Sequence, residues 1–239
     1  MTRTPSSAAP RALVTGASSG IGLAVARRLL AQGWRVHGLD QSPGHDLGPM
    51  YTSTRLDLTH GDALDAALTQ ILAAGTPQAL VHGAGVLRVG ALGDMQADDG
   101  HLMWQVHVEA ATRLAQAVLP LMHRAQAGRM VMLGSRVSVG IAGRSQYAAS
   151  KAALVALARS WAAESIAHGV TVNVVSPAAT DTPMLSDPAR SSTAPKCPPI
   201  GRLIQADEVA ALVAYLLSPE AAAITGQDIA ICGGASLSR

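Results

Sequence analysis

Three side chains in the middle of the chain have the types and spacing to move a proton. Tyr147 and Lys151, in "YAASK", are four residues apart, so on a helix their Cβ atoms stand about 5–6 Å apart on one face. A free phenol titrates near pH ~10 and is a weak base at neutrality, but an ammonium beside it stabilises the phenolate and lowers that value. Ser135 closes the apolar run "RMVML" (129–133), where a hydroxyl can hydrogen-bond a carbonyl or alkoxide oxygen. Ser138 is the rival serine, although it falls in the loop beyond. Such a trio suits acid/base transfer at a carbon–oxygen bond, coupled to hydride transfer at a nearby nicotinamide. The bland alternative is an exposed tyrosine–lysine pair on a helix surface.

A second constellation supplies the place for that nicotinamide. "LVTGASSGIGLAVARRL" runs from an apolar segment into a helical one through Gly16, Gly20 and Gly22. Glycines there permit a tight turn and let backbone N–H groups and the positive end of a helix approach a pyrophosphate. Ser18, Ser19 and Ile21 complete the candidate loop. The next apolar segment ends in Asp40, at the separation expected of an acid that accepts the adenosine ribose hydroxyls. A carboxylate there repels a 2′-phosphate, and no basic residue interrupts "GASSGIG" or follows Asp40, so NAD is expected rather than NADP. Asp40 could otherwise be a turn-forming acid before "QSPG".

The elements that would position these residues are legible as alternation. Short apolar runs at 12–15, 35–40, 79–82, 129–133, 170–175 and 228–231 alternate with helical patterns at 21–32, 62–74, 98–124, after Tyr147, and at 207–217. This is the form of repeated β-α units. It predicts a single-domain α/β Rossmann fold over 11–239, a doubly wound seven-stranded parallel sheet flanked by helices, preceded by a flexible leader at 1–10. The stretch 183–201 holds five prolines and no hydrophobic period, and is expected to be a substrate lid. With 49% hydrophobic residues there is enough for a sizeable core, and a formal charge of +2 excludes a nucleic-acid surface. The two cysteines, Cys197 and Cys232, lie far apart without histidine company, so neither a disulfide framework nor a metal site is expected. No apolar run is long enough to span a membrane, and a cytoplasmic protein is the default.

Taken together, "TGASSGIG", Asp40, "HGAG" (82–85), Ser135, "YAASK", "NVVSPAATDT" (173–182) and "ITGQDIAICGG" (224–234) resemble the short-chain dehydrogenase/reductases over residues 11 to 237. The resemblance implies that Ser135 donates to the substrate oxygen, that Tyr147 is the acid/base, and that Lys151 holds the ribose and depresses the tyrosine. It also implies that Asp57 and Leu58 hold the adenine, that Gly83, Ala84 and Gly85 pass the ribose, and that Pro177, Thr180 and Thr182 flank the nicotinamide. A homotetramer, or a homodimer, is the usual assembly. Segments such as "LVHGAGVLRVGAL" and "SPAATDTPM" are further similar to the branch that oxidises 2,3-dihydro-2,3-dihydroxybenzoate, a siderophore precursor. That branch implies a carboxylated alcohol substrate, with Arg88 or Arg144 as its cation and Arg190 or Lys196 arriving on the lid. Other alcohols or ketones remain open: another hydroxy acid, a polyol, a cyclic alcohol or a 3-oxoacyl thioester, the last normally reduced with NADPH. A dinucleotide-binding regulator without catalysis is the alternative of another class.

Four departures mark the chain: His82-Gly83 for a paired asparagine, Ala178 for glycine, Cys232 for an acid, and His107 where the family has its catalytic asparagine. Ala178 is tolerable only if its φ is negative. His107 shares a face with Met103, Ala111 and Leu114 and on that ground alone reads as a core residue. In the family the asparagine's main-chain carbonyl holds a water that serves the lysine, which makes His107 a candidate relay position.

Overall fold

A computed structural model describes residues 9–187 and 196–237. Seven parallel strands form one sheet in the order β3-β2-β1-β4-β5-β6-β9. They are β1 (Arg11–Thr15), β2 (Arg35–Asp40), β3 (Tyr51–Arg55), β4 (Ala79–His82), β5 (Gly128–Leu133), β6 (Val170–Pro177) and β9 (Asp228–Ile231). A two-residue ladder pairs β7 (Thr180–Asp181) with β8 (Ile204–Gln205). The central strands are apolar on both faces because helices cover both. On one face α1 (Gly20–Ala31) and α6 (Ala206–Leu217) bury Val25, Leu29, Val209 and Val213 against Val14, Val81, Val131 and Val175. On the other, α2 (Gly61–Ala73), α4 (Ala110–Ala125) and α5 (Ser145–Ser165) bury Leu64, Leu68, Leu114, Val118 and Leu154 against Leu13, Leu80, Met130 and Val172.

Strand order reverses between β1 and β4, and the crevice at their carboxyl ends is where an open sheet of this kind takes a ligand. Two elements differ from the sequence reading. β3, "YTSTR", buries only Tyr51 fully, so an edge strand of mostly polar residues left no apolar run to detect. The long helix expected at 98–124 is α3 (Ala97–Trp104) and α4 joined by a π turn, Gln105–Glu109, and His107 sits at the centre of that turn. No helix among the described residues is long and apolar enough to cross a membrane. Of the expected leader, residues 1–8 lie outside the described residues, as do 188–195 of the expected lid.

Candidate active site

The dinucleotide cradle is built where β1 hands over to α1. Gly16 has φ +71°, and a Cβ there would come within 2.8 Å of the Ala84 nitrogen. A Cβ on Gly22 would run into the Gly16 carbonyl, so β1, α1 and the loop after β4 pack backbone to backbone. No side chain caps the start of α1 and its first turn has no acid, which leaves the positive helix end turned to the crevice. At the far end of the crevice the Ser18 and Ser42 N–H groups donate to the two oxygens of Asp40 at 3.0 and 2.9 Å, fixing the carboxylate at the tip of β2. Asp57 accepts from the backbone and hydroxyl of Thr59.

A cavity of about 870 Å³ joins these parts. Gly16, Ser19, Gly20, Ile21, Gly22, Asp40, Asp57 and Leu58 line one end, and Gly83, Ala84 and Gly85 its middle. Pro177, Thr180 and Thr182 line it from beyond β6. Ser18 does not line it and acts through its backbone on Asp40. Three glycines where side chains would obstruct, a bare helix N-terminus and a fixed carboxylate fit a dinucleotide well. Ala178 has no positive φ, so its methyl group is accommodated.

Ser135, Tyr147 and Lys151 all face this cavity. Ser135 follows β5, and its Oγ accepts from Val137 N–H at 3.4 Å, capping the 3-10 turn Arg136–Val139. Ser138 lies within that turn and does not line the cavity. Tyr147 and Lys151 rise from the first turns of α5, and the lysine Nζ stands 5.9 Å from the centre of the phenol ring. Lys151 is 4% exposed and donates to the Leu133 carbonyl at 2.7 Å. Burial pulls its ammonium down to about 7, so it exchanges protons near neutrality.

His107 is fully buried and does not line the cavity. Its ring packs edge-on to Tyr147 with centres 5.6 Å apart. Nε2 accepts from Val86 N–H at 3.1 Å, and Nδ1 lies 2.9 Å from the Ser150 hydroxyl, which donates to the Tyr147 carbonyl. Its main-chain carbonyl, the atom the family resemblance assigns to a relay, accepts from His82 Nε2 at 3.2 Å. The other nitrogen of His82 meets Thr15 Oγ1 at 2.9 Å. Burial, then the Lys151 charge, lowers His82 to about 4 and His107 well below the ordinary imidazole range. Sequence reasoning noted His82 only as a departure. Its bond to residue 107 joins separate elements and has no signature in spacing.

The expected substrate cations divide. Arg144 and Lys196 line the cavity, whereas Arg190 lies outside the described residues. Arg88 is absent from the lining, although Val86 and Leu87 belong to it, and it pairs with Asp99 at 3.6 Å and Asp187 at 3.4 Å, joining α3 to the segment after β7. Arg136, Ile141, Met184 and Leu237 also line this end. They lie in turns and in the carboxyl-terminal segment, where no periodicity could single them out. Among the described residues no group of three histidine, cysteine or acidic side chains is arranged to hold a metal ion.

A Gly-rich crevice ending in a serine, a tyrosine and a lysine defines an oxidoreductase site for a nicotinamide cofactor. Residues 16–236 match the family model described as enoyl-(acyl carrier protein) reductase, and the chain belongs to the short-chain dehydrogenase/reductase family. It is 37% identical over 234 residues to the 3-oxoacyl-[acyl-carrier-protein] reductase of Salmonella typhimurium, covering 93% of this chain and 96% of that one. It is 36% identical over 226 residues to the corresponding reductase of Mycobacterium bovis, covering 93% and 91%. Among solved structures, a variant of actinorhodin polyketide ketoreductase with NADPH superposes with a TM-score of 0.88 at 29% identity, over 96% of this chain and 98% of that one. The ligand-free aldohexose dehydrogenase of Thermoplasma acidophilum gives 0.88 at 27% identity, over 97% and 95%. These relatives are thioester and polyketide ketoreductases and a sugar dehydrogenase. The finer resemblance to dihydroxybenzoate-forming enzymes is not what they carry.

Proposed function

We propose that the protein interconverts a 3-oxoacyl thioester and its 3-hydroxyacyl form, using NAD(H). The observation that carries the reading is one cavity with Ser135, Tyr147 and Lys151 at one end and the fixed carboxylate of Asp40 at the other. Bound nicotinamide supplies or accepts the hydride. In the reducing direction the Ser135 hydroxyl donates a hydrogen bond to the substrate oxygen. Tyr147 gives that oxygen its phenolic proton, and the Lys151 ammonium stabilises the phenolate left behind.

The thioester is supported by the names of the relatives and the cofactor by Asp40, and these pull apart, since one neighbouring structure is a complex with NADPH. Asp40 is given the greater weight. A phosphate about 4 Å from a carboxylate is disfavoured by roughly 4 kcal/mol at an effective dielectric near 20. A carboxylated cyclic alcohol, such as 2,3-dihydro-2,3-dihydroxybenzoate, is the second reading, favoured by Arg144 and Lys196 on the cavity wall. The resemblance to the family supports a homotetramer or homodimer.

The test is turnover of acetoacetyl-CoA and of the dihydrodiol with each dinucleotide. Acetoacetyl-CoA with NADH should give the highest kcat/KM, at least tenfold above NADPH, and Tyr147→Phe should lower kcat by about 10²–10⁴. Preference for NADPH would overturn the argument from Asp40, and turnover of the dihydrodiol alone would move the substrate to the second reading. Dinucleotide binding without turnover of either, and with no effect of Tyr147→Phe, would leave a non-catalytic binder.

A further inference from the structure

We infer that His107 and His82 are positioning residues: two neutral imidazoles, each held in one tautomer, that fasten the loop 83–86 of the cavity to β1 and to α5. The tautomers follow from partners that can only give or only take. Val86 N–H is a donor, so Nε2 of His107 is the bare nitrogen and Nδ1–H donates to Ser150. The main-chain carbonyl of residue 107 is an acceptor, so Nε2 of His82 carries the hydrogen and its Nδ1 accepts a hydrogen bond from the Thr15 hydroxyl. Thr15 Oγ1 then accepts the N–H groups of Gly83 and Ala84, both at 3.1 Å.

The backbone of the loop is thereby held at three of its four nitrogens by one connected network. Gly85 lies against it, since a Cβ there would stand 3.2 Å from His107 Nε2 and 3.5 Å from Lys151 Nζ. The π turn brings this about by presenting the carbonyl of residue 107 to β4 and its ring to the loop. A protonated His107 would set a donor against the Val86 N–H and a second positive charge beside Lys151. The groups facing the ring are Lys151 and Tyr147 on α5 and His82 on β4, and none is a carboxylate. The imidazoles therefore work as neutral fasteners, not as the proton donor of the reaction.

This inference rests on the nicotinamide reading for its consequence in turnover but not for its geometry, and two measurements separate them. Glutamine at position 107 can place an acceptor where Nε2 is, whereas asparagine reaches Ser150 but falls short of Val86. In the dinucleotide-free protein, amide exchange at Val86 should accelerate at least tenfold in His107→Asn and stay within about threefold of wild type in His107→Gln. In NADH titrations followed by fluorescence, His107→Asn should weaken binding by roughly ten- to hundredfold, with kcat at saturating NADH lowered only a few fold. Equal exchange rates in the two variants would reduce the ring to a space-filler and overturn the inference. So would a hundredfold loss of kcat in His107→Gln with Val86 still protected, since the imidazole would then act chemically. If wild type bound no dinucleotide while Val86 exchange behaved as stated, the proposed function would fall and the fastening would stand.

Discussion

Lys151 and the two imidazoles are buried without an opposing carboxylate, and that has a consequence for stability. In the unfolded chain His82 titrates near 6.5, and in the folded protein near 4. Between those values the unfolded state binds more protons, so the contribution is complete above about pH 6.5 and is lost as pH falls through 4. For His82 alone it is on the order of 3 kcal/mol. Lys151, lowered to about 7, acts in the same direction, raising the stability of the dinucleotide-free protein as pH climbs from 7 toward the ordinary lysine value. Urea unfolding at pH 7.5 and pH 5 should show the loss, and His82→Asn should flatten it; an unchanged slope would show that His82 is not the group being titrated. At this scale the sequence was legible only where chemistry lies in local spacing. Tyr147 and Lys151 share one helix face, and Ser135 lies two residues beyond the end of β5. His82 meets Thr15 because parallel pairing sets the two side by side and meets residue 107 across 25 residues of chain, and Arg88 finds its partner Asp187 99 residues away, so none of these contacts has a signature in local spacing.

The elements were legible in proportion to their burial. Strands β1, β4, β5 and β6 are nearly continuous apolar runs because both faces are covered, whereas β3 pairs on one side only and carries threonine and serine to solvent. The π turn has no breaker residue to announce it. It inserts one extra residue into a turn while Met103, Ala111 and Leu114 all remain buried, so an i, i+4 reading passes straight through it. The close backbone approach at the glycines was legible because its reason is local. Gly22 is the sharpest case, with the carbonyl of Gly16 occupying the space a Cβ would need. Gly22→Ala should push α1 away from β1, lower Tm by several degrees and weaken NADH binding more than tenfold, read by calorimetry and fluorescence titration. Gly93→Ala meets nothing within 4 Å and should leave both unchanged. A Gly22→Ala protein that bound normally would mean the close helix–strand approach is not what forms the cradle.

Across the whole molecule a formal charge of +2 conceals an uneven cavity. Its acidic lining residues among those described, Asp40 and Asp57, stand at the β2–β3 end, while Arg136, Arg144 and Lys196 stand toward β5 and the segment after β7. β2 and β5 are three strands apart, about 14 Å at the ordinary strand spacing, and ~10 Å already screens exposed charges in 0.1 M salt. The two ends therefore act separately, and on the proposed function the acids would select the dinucleotide and the cations the substrate. Arg144→Ala and Lys196→Ala should each raise KM for acetoacetyl-CoA by about two- to fivefold and leave kcat in place, since partly exposed ion contacts are worth about 0.5–1 kcal/mol. The neutral N-acetylcysteamine thioester of the same acyl group should be indifferent to both changes and to added salt. If its KM rose in parallel, the two residues would be shaping the cavity and not reading charge, and the selectivity would have to come from the apolar wall of Ile141, Met184 and Leu237.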